Sequence, residues 1–242
     1  MKKYLFIILL VVTNTLYAQQ FISSGMIEFE ERSNLHALYG NSVFGQMITE
    51  KLPKFSSSFY HFTFKDNKAV YLLDHKDAKS RTPWDDNYAD DNITYSDYTT
   101  NTFTDTKFIF DNTYLLSDSL LKMKWKMVPH ETRNIAGFNC RKAYTILFDS
   151  VYVFAFYTDE IMISGGPLGI HGLPGMILGI TIPRMHTSWI ATKLQINGVD
   201  TSIIKPPKKG KMKDYEELKA MVEKMANDRG SYFQRVIWGF LL

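Results

Sequence analysis

Asn139-Cys140-Arg141-Lys142-Ala143-Tyr144-Thr145-Ile146-Leu147-Phe148-Asp149-Ser150-Val151-Tyr152-Val153-Phe154-Ala155-Phe156-Tyr157-Thr158 is the stretch on which the reading of the fold turns. Two runs of aromatic and β-branched residues flank Asp149-Ser150, a turn dipeptide, so the stretch predicts a β-hairpin. Val151 to Tyr157 is apolar almost throughout, the pattern of a central strand covered on both faces.

The flanking segments continue the pattern. Upstream, Ile93 to Thr99, Thr104 to Asp111 and Thr113 to Ser117 are short, aromatic and β-branched, with a turn at Asp111-Asn112. Lys122 to Val128 alternates, lysines on one side and Met123, Trp125 and Met127 on the other, and predicts a strand. Thr132 to Ala136 then leads to a turn at Gly137. Nearer the N-terminus, Gly25 to Glu31 alternates, and Ser57 to Lys65 with Lys68 to Leu73 reads as a hairpin across Asp66-Asn67. Between them, Asn34 to Leu52 carries a partial helical stripe (Leu35, Leu38, Tyr39, Met47, Ile48, Leu52), weakened by Gly40 and Gly45 and ended by Pro53. Asp74 to Asn92 is a polar loop anchored by Trp84, and its Asp85-Asp86 and Asp90-Asp91 pairs lack calcium-loop spacing.

Downstream, Met176 to Ile182 and Ser188 to Ile196 read as strands, with a turn at Pro183 and a stop at Asn197-Gly198. Pro206 to Lys211 is a basic, proline-led connector. Asp214 opens a helix through about Asn227, with Leu218, Met221, Val222 and Met225 on one stripe. Tyr232 to Leu242 is apolar and is expected to dock on the domain. Short strands punctuated by turns, with no internal repeat and no break in composition, predict a mainly β (β-rich α+β) fold. The expectation is one curved antiparallel sheet or open barrel with a few packed helices, spanning 19–242 as a single domain.

Residues 1–18 read as a signal peptide: Lys2 and Lys3, then the apolar run Leu5 to Val12, then Ala18 before the expected cut. No later stretch is long and apolar enough for a membrane span, so export to the periplasm, the cell surface or the medium is expected. Loss of Lys2 and Lys3 takes the formal charge from +3 to +1. That balance argues against a nucleic-acid partner. Cys140 is the sole cysteine, which excludes an internal disulfide, and its setting at a strand start suggests burial rather than reactivity.

Ser164 to Ile180 packs glycines and prolines and then runs into an apolar strand. Gly172-Leu173-Pro174-Gly175-Met176-Ile177 resembles the signature of the GLPGLI family of exported proteins, common in Bacteroidetes. Trp125, the block Glu131 to Ala143 containing Gly137 and Cys140, the segment Phe156-Tyr157-Thr158 and the pair Gly166-Pro167 are similar to the family's upstream blocks. Lys205 to Leu218 is similar to its downstream connector and helix. Met176 stands where Leu is usual and Phe156 where Trp is common. The resemblance implies an envelope role. Similar modules accompany cell-surface enzymes such as a glycan-removing amidase, and members lie near TonB-dependent transport genes. It supplies no catalytic residues.

The glycines do not form a phosphate loop, because two prolines interrupt them, no Lys follows and a strand comes next. They read as tight turns, with Pro174 and Gly175 at the centre of a type II turn. His171, His186, Met162, Met176 and Met185 invite a soft-metal site but lack ligand spacing. No Gly-x-Ser-x-Gly elbow occurs, and Cys140 with His130 is the one thiol–base pair that can be drawn. Glu28 and Glu30 share a strand face, as edge acids do. Trp125, Gly137, Cys140, Gly166, Pro167, Gly172, Leu173, Pro174 and Gly175 are therefore read as structural motif residues, with no catalytic, cofactor or metal role and no cofactor implied. The function expected is a non-enzymatic envelope binding or accessory protein for a partner protein, a peptide or an apolar ligand. An envelope hydrolase and a metal-handling protein are the alternatives.

Overall fold

The computed structural model describes residues 22–40, 47, 49–80, 92–109, 112–227 and 238. The signal segment, Trp84 with the Asp pairs of the polar loop, and most of the expected C-terminal docking segment lie outside them.

The chain forms β1 (Ser24–Asn34), a single helical turn α1 (Leu35–Tyr39), β2 (Phe55–Lys65), β3 (Lys68–Lys76), β4 (Ile93–Asp97), β5 (Thr102–Ile109) and β6 (Asn112–Ser119). It continues through β7 (Lys126–Ile135), β8 (Phe138–Leu147), β9 (Val151–Thr158), β10 (Met176–Ile182), β11 (Thr187–Gln195), β12 (Lys211–Lys213) and helix α2 (Tyr215–Asn227). All twelve strands join one sheet in the order β12-β6-β5-β4-β3-β2-β1-β11-β10-β9-β8-β7. It is two meanders, β1 to β6 and β7 to β11, fused where β11 pairs antiparallel with β1. The mainly β, antiparallel reading holds, and the sheet is open rather than closed.

Two hairpins close as their sequences dictate. Asp66 and Asn67 both take left-handed φ values, 50° and 59°, which a primed two-residue turn requires. Phe148 and Asp149 do the same at 48° and 60° between β8 and β9, which sets that turn one residue before the expected Asp149-Ser150. Register shifts interrupt the ladders at Glu28/Phe29, Phe59/Tyr60, Ile177/Gly179 and Met127/Thr132. Each such bulge bends its strand, and together they curl the sheet. The curl brings distant strands together: Phe148 of the β8–β9 turn packs on the cluster of Phe103, Ile109 and Leu116 from β5 and β6.

Two expectations need correction. A third, the helix with an irregular middle over Asn34 to Leu52, is described only in part: its first turn, Leu35–Tyr39, is capped by the Asn34 side chain on the Ala37 amide and ends at Gly40, and Met47 and Thr49 are again helical. Lys122 to Trp125 is not strand; β7 starts at Lys126 and runs on to Ile135. Met123 and Trp125 pack on the apolar cluster instead, and the Lys124 carbonyl accepts from the Thr145 hydroxyl. β9 is covered on one face only: Val151, Val153 and Ala155 are buried, whereas Tyr152 is 47% exposed. It lies third from the β7 edge, where its outer face stacks Tyr152 and Phe154 on Tyr144. Such an aromatic but half-wet strand matches a central strand in composition alone.

The connector and helix after β11 fall as the sequence predicts. Asp214 caps α2 through the Glu217 amide, and Leu218 and Val222 bury against β5 and β6. Just before α2, the chain adds β12 in parallel to β6, a pairing that nothing in Lys211–Lys213 foretells. Trp238 is buried in the cluster with Ile182 and Trp189, under the Arg184 guanidinium.

Candidate functional site

The loop between β9 and β10 lies inside the curl. Ile170 and Leu173 pack with Ala143, Val153 and Ile177, while the 3-10 turn Pro167–Gly169 contacts β3 and β4. Its hydrogen bonds are internal and dense. Ser164 Oγ donates to the Leu173 carbonyl at 2.7 Å and accepts from the Gly172 amide at 3.2 Å. The Ile177 amide donates to the Gly165 carbonyl at 2.8 Å. His171 donates from Nδ1 to the Gly169 carbonyl at 2.9 Å, and burial pushes the pKa of this imidazole down. The turn at Pro174 differs from a type II turn. The Gly175 amide donates to the Leu173 carbonyl across a single residue, and the Met176 amide donates to Ile161.

This loop, α2, the β8–β9 turn and strands β4 to β6 line an open-mouthed cavity of about 350 Å³. Its walls are mostly apolar, with Phe103, Leu116, Leu120, Phe148, Leu168 and Leu218 among them. Its volume falls at the small end of the range for small-molecule sites, about 300–1,000 Å³. Lining residues come from β5 and β6 near one edge of the sheet and from β8 near the other, so the cavity exists only because the sheet curls.

Two buried charges, Asp105 and Lys107, face this space, and Lys122, Asp149 and Lys219 also border it. On β5, Phe103, Asp105, Lys107 and Ile109 alternate onto the buried face. Asp105 is 7% exposed and Lys107 6%. Lys107 Nζ lies 3.8 Å from Asp105 Oδ2, close enough for Coulomb attraction but beyond a hydrogen bond. Asp105 Oδ1 has no hydrogen-bond partner. Burial pushes the Asp105 carboxyl up to about 6, against the pull of Lys107 and the Thr94 hydroxyl opposite. Burial likewise pushes Lys107 down, against the pull of Asp105.

Asp97 shows what a satisfied buried acid looks like in this protein. It is 8% exposed, but its Oδ1 accepts from the amides of Thr99 and Thr100, and Lys68 lies 3.4 Å from Oδ2. Burial works to raise it, but those amides and Lys68 outweigh burial, and it is held below the usual carboxylate range. Both are nearly closed to solvent, but Asp105 lies deeper and lacks the amides and the nearer lysine that hold Asp97 down.

The nine motif residues do not line the cavity. Trp125, Gly166, Pro167, Gly172, Leu173, Pro174 and Gly175 build or brace the loop that forms its wall. Gly137 sits in the β7–β8 turn at φ 90°, and Cys140 on β8 is fully buried. Cys140 donates to the Phe138 carbonyl, and burial pushes its thiol up to about 11. His130 is exposed. Glu28 accepts from Thr192 and Glu30 from Ser57. Among the described residues, no three of His, Cys, Asp or Glu come together as a metal site. Asp105 and Lys107 were missed by motif reasoning. The signal was there: two charges in phase with Phe103 and Ile109, on the side of the strand that must be buried.

No family model matches the chain, and no curated protein matches its sequence. Solved structures of PNGF-II do match in fold. The one in space group P21 is 16% identical with a TM-score of 0.52, and the one in C2 is 18% identical with a TM-score of 0.53. Each alignment covers 84% of this chain and 33% of the other, so this chain spans about a third of the length of those structures. At such identity the likeness is one of fold. No helix among the described residues is long and apolar enough to cross a membrane.

Proposed function

We propose that this chain is an exported, GLPGLI-type binding or accessory protein of the cell envelope, and that it holds a small, largely apolar ligand within its curled sheet. The observation that carries this reading is the largely apolar cavity of about 350 Å³ with the buried Asp105 and Lys107 on its wall. Apolar walls with a few placed polar groups are the usual make-up of a small-molecule site. The N-terminal signal-like segment and the family-like motifs support a place in the periplasm or at the surface.

A hydrolase is the second reading, and it draws on Asp105, whose raised pKa in a cavity is a mark of catalytic acids. No Ser, Cys or His is among the lining residues, so the cavity offers no usual nucleophile–base pair beside that acid. Binding without chemistry is therefore preferred.

Native mass spectrometry of the protein, purified from the envelope and culture fluid of its own cells, tests the proposal. A stoichiometric small molecule that is lost when Leu116 is replaced by Trp supports it. Ligand-free protein that also excludes ethylbenzene and other small aromatic probes would sink it.

A further inference from the structure

We propose that Asp105 and Lys107 form the head-group subsite of the cavity, and that the ligand is a small apolar molecule whose head is an ammonium beside a carboxylate, as in an apolar α-amino acid. This rests on the reading of the cavity as a ligand site. Asp97, Asp105 and Lys107 are the Asp, Glu, Lys and Arg side chains buried among the described residues. Asp97 is satisfied by the β4–β5 turn. The other two line the cavity, and Asp105 Oδ1 is left there without a hydrogen-bond partner.

The chemistry that fills that capacity is specific. Asp105 Oδ1 is an acceptor without a donor, and a buried acceptor left so is costly. Lys107 is held to Asp105 by charge alone, at 3.8 Å, and has N–H groups to give. A ligand needs a donor for one and an acceptor for the other, at adjacent positions, because the two charged atoms are themselves adjacent.

Net charge narrows the class further. The pair is neutral as a whole, and a head buried beside it meets little water. A lone ammonium would satisfy Oδ1 but compete with Lys107, and a lone carboxylate would satisfy Lys107 but face Asp105. Either would bury an uncompensated charge. A zwitterion gives its ammonium to Asp105 and its carboxylate to Lys107, forming four alternating charges with zero sum. Phe103, Leu116, Leu120, Leu168 and Leu218 then enclose the apolar side chain.

Calorimetric titration of the full chain at neutral pH, with four probes of one aromatic body, tests this. The probes are phenylalanine, 2-phenylethylamine, 3-phenylpropanoate and ethylbenzene. Phenylalanine is expected to bind at least about tenfold more tightly than either singly charged analogue. Asp105→Asn and Lys107→Gln should each erase most of that advantage while leaving ethylbenzene binding within about twofold. If Asp105→Asn does not fold, as judged by circular dichroism, Lys107→Gln and the wild-type probe series still decide the matter. Equal binding of all four probes would overturn the head-group subsite while leaving the apolar cavity reading intact. Exclusion of all four, ethylbenzene included, would overturn both.

Discussion

The Trp125 indole donates through Nε1 to the main-chain carbonyl of His171 at 2.8 Å. This one bond ties the segment before β7 to the glycine-rich loop, 46 residues away in sequence. It joins two of the motif segments singled out in the sequence. The loop is therefore held from both sides: by Trp125 on the outside and by Ser164 from within.

Trp125→Phe should keep most of the packing and lose the donor. A part-buried carbonyl without its partner costs about 1–2 kcal/mol. Urea unfolding is expected to shift its midpoint down with an unchanged slope, the signature of lost stability without a change in compactness. A midpoint within error of wild type would mean that the bond is replaced by water at no cost.

Gly172 and Gly175 look equivalent in the motif but are not equivalent in space. Gly175 takes φ 125°, and a Cβ there would strike the Thr158 carbonyl and main chain. Gly172 takes φ 92°, with the nearest neighbour, the Trp125 ring, 3.5 Å from where its Cβ would be. Gly172→Ala should cost only the backbone strain, about 1–3 kcal/mol. Gly175→Ala should cost about 4 kcal/mol or more, because main chain must move. Soluble yield and thermal melting of the two variants would show the order, and a Gly175→Ala protein as stable as Gly172→Ala would refute it.

How far the sequence carries the fold depends on whether local chemistry or distant contact decides each element. The Asp66-Asn67 turn and the Asp214 cap are local and stand where their residues place them, and the β8–β9 turn falls on Phe148-Asp149, one residue before the expected Asp149-Ser150. The helical segment after Asn34 breaks at Gly40, one of the two glycines that weaken its apolar stripe, and Met47 and Thr49 are helical beyond it. Lys122 to Trp125 alternates like a strand but is not one: beside β8 the Lys124 carbonyl takes the Thr145 hydroxyl, and β7 begins at Lys126. The cavity was not legible at all. It depends on the curl that brings β5 and β6 against the β8–β9 turn, and no local pattern encodes that meeting. Asp105 and Lys107 were legible in principle, since their phase along β5 commits them to the buried face.

Cys140 should be inert in the folded protein. It is fully buried, and burial with the nearby Glu160 carboxylate pushes its thiol up to about 11, so almost no thiolate exists at neutral pH. Ellman's reagent is expected to label it only as fast as the protein unfolds, and at once in strong urea. Rapid labelling of native protein at pH 7 would show that the β7–β8 hairpin opens, or that the thiol is reactive after all.

The Asp105 carboxyl gives the protein a pH dependence opposite to that of a salt-bridged acid. Its folded pKa is raised to about 6 from the ordinary 3.8, so between these values the native state holds a proton that the unfolded state has released. Stability therefore falls as pH rises through this window. Lys107, pushed down by burial, and Lys122, Lys219 and Asp149 also border the cavity. Asp97, lowered by its amides and Lys68, works in the reverse sense at lower pH, so the comparison must be with a variant that retains it. Asp105→Asn is that variant. It abolishes the titration, and Lys107, having lost its counter-charge, sheds its proton more readily as pH rises. Both effects favour the variant with increasing pH. Unfolding free energies measured at intervals from pH 4 to 6.5 should show the Asn protein gaining on wild type by roughly 1–3 kcal/mol. A constant difference across the window would mean that Asp105 ionises at its ordinary value, and that water reaches the carboxylate which the closed geometry leaves without a donor.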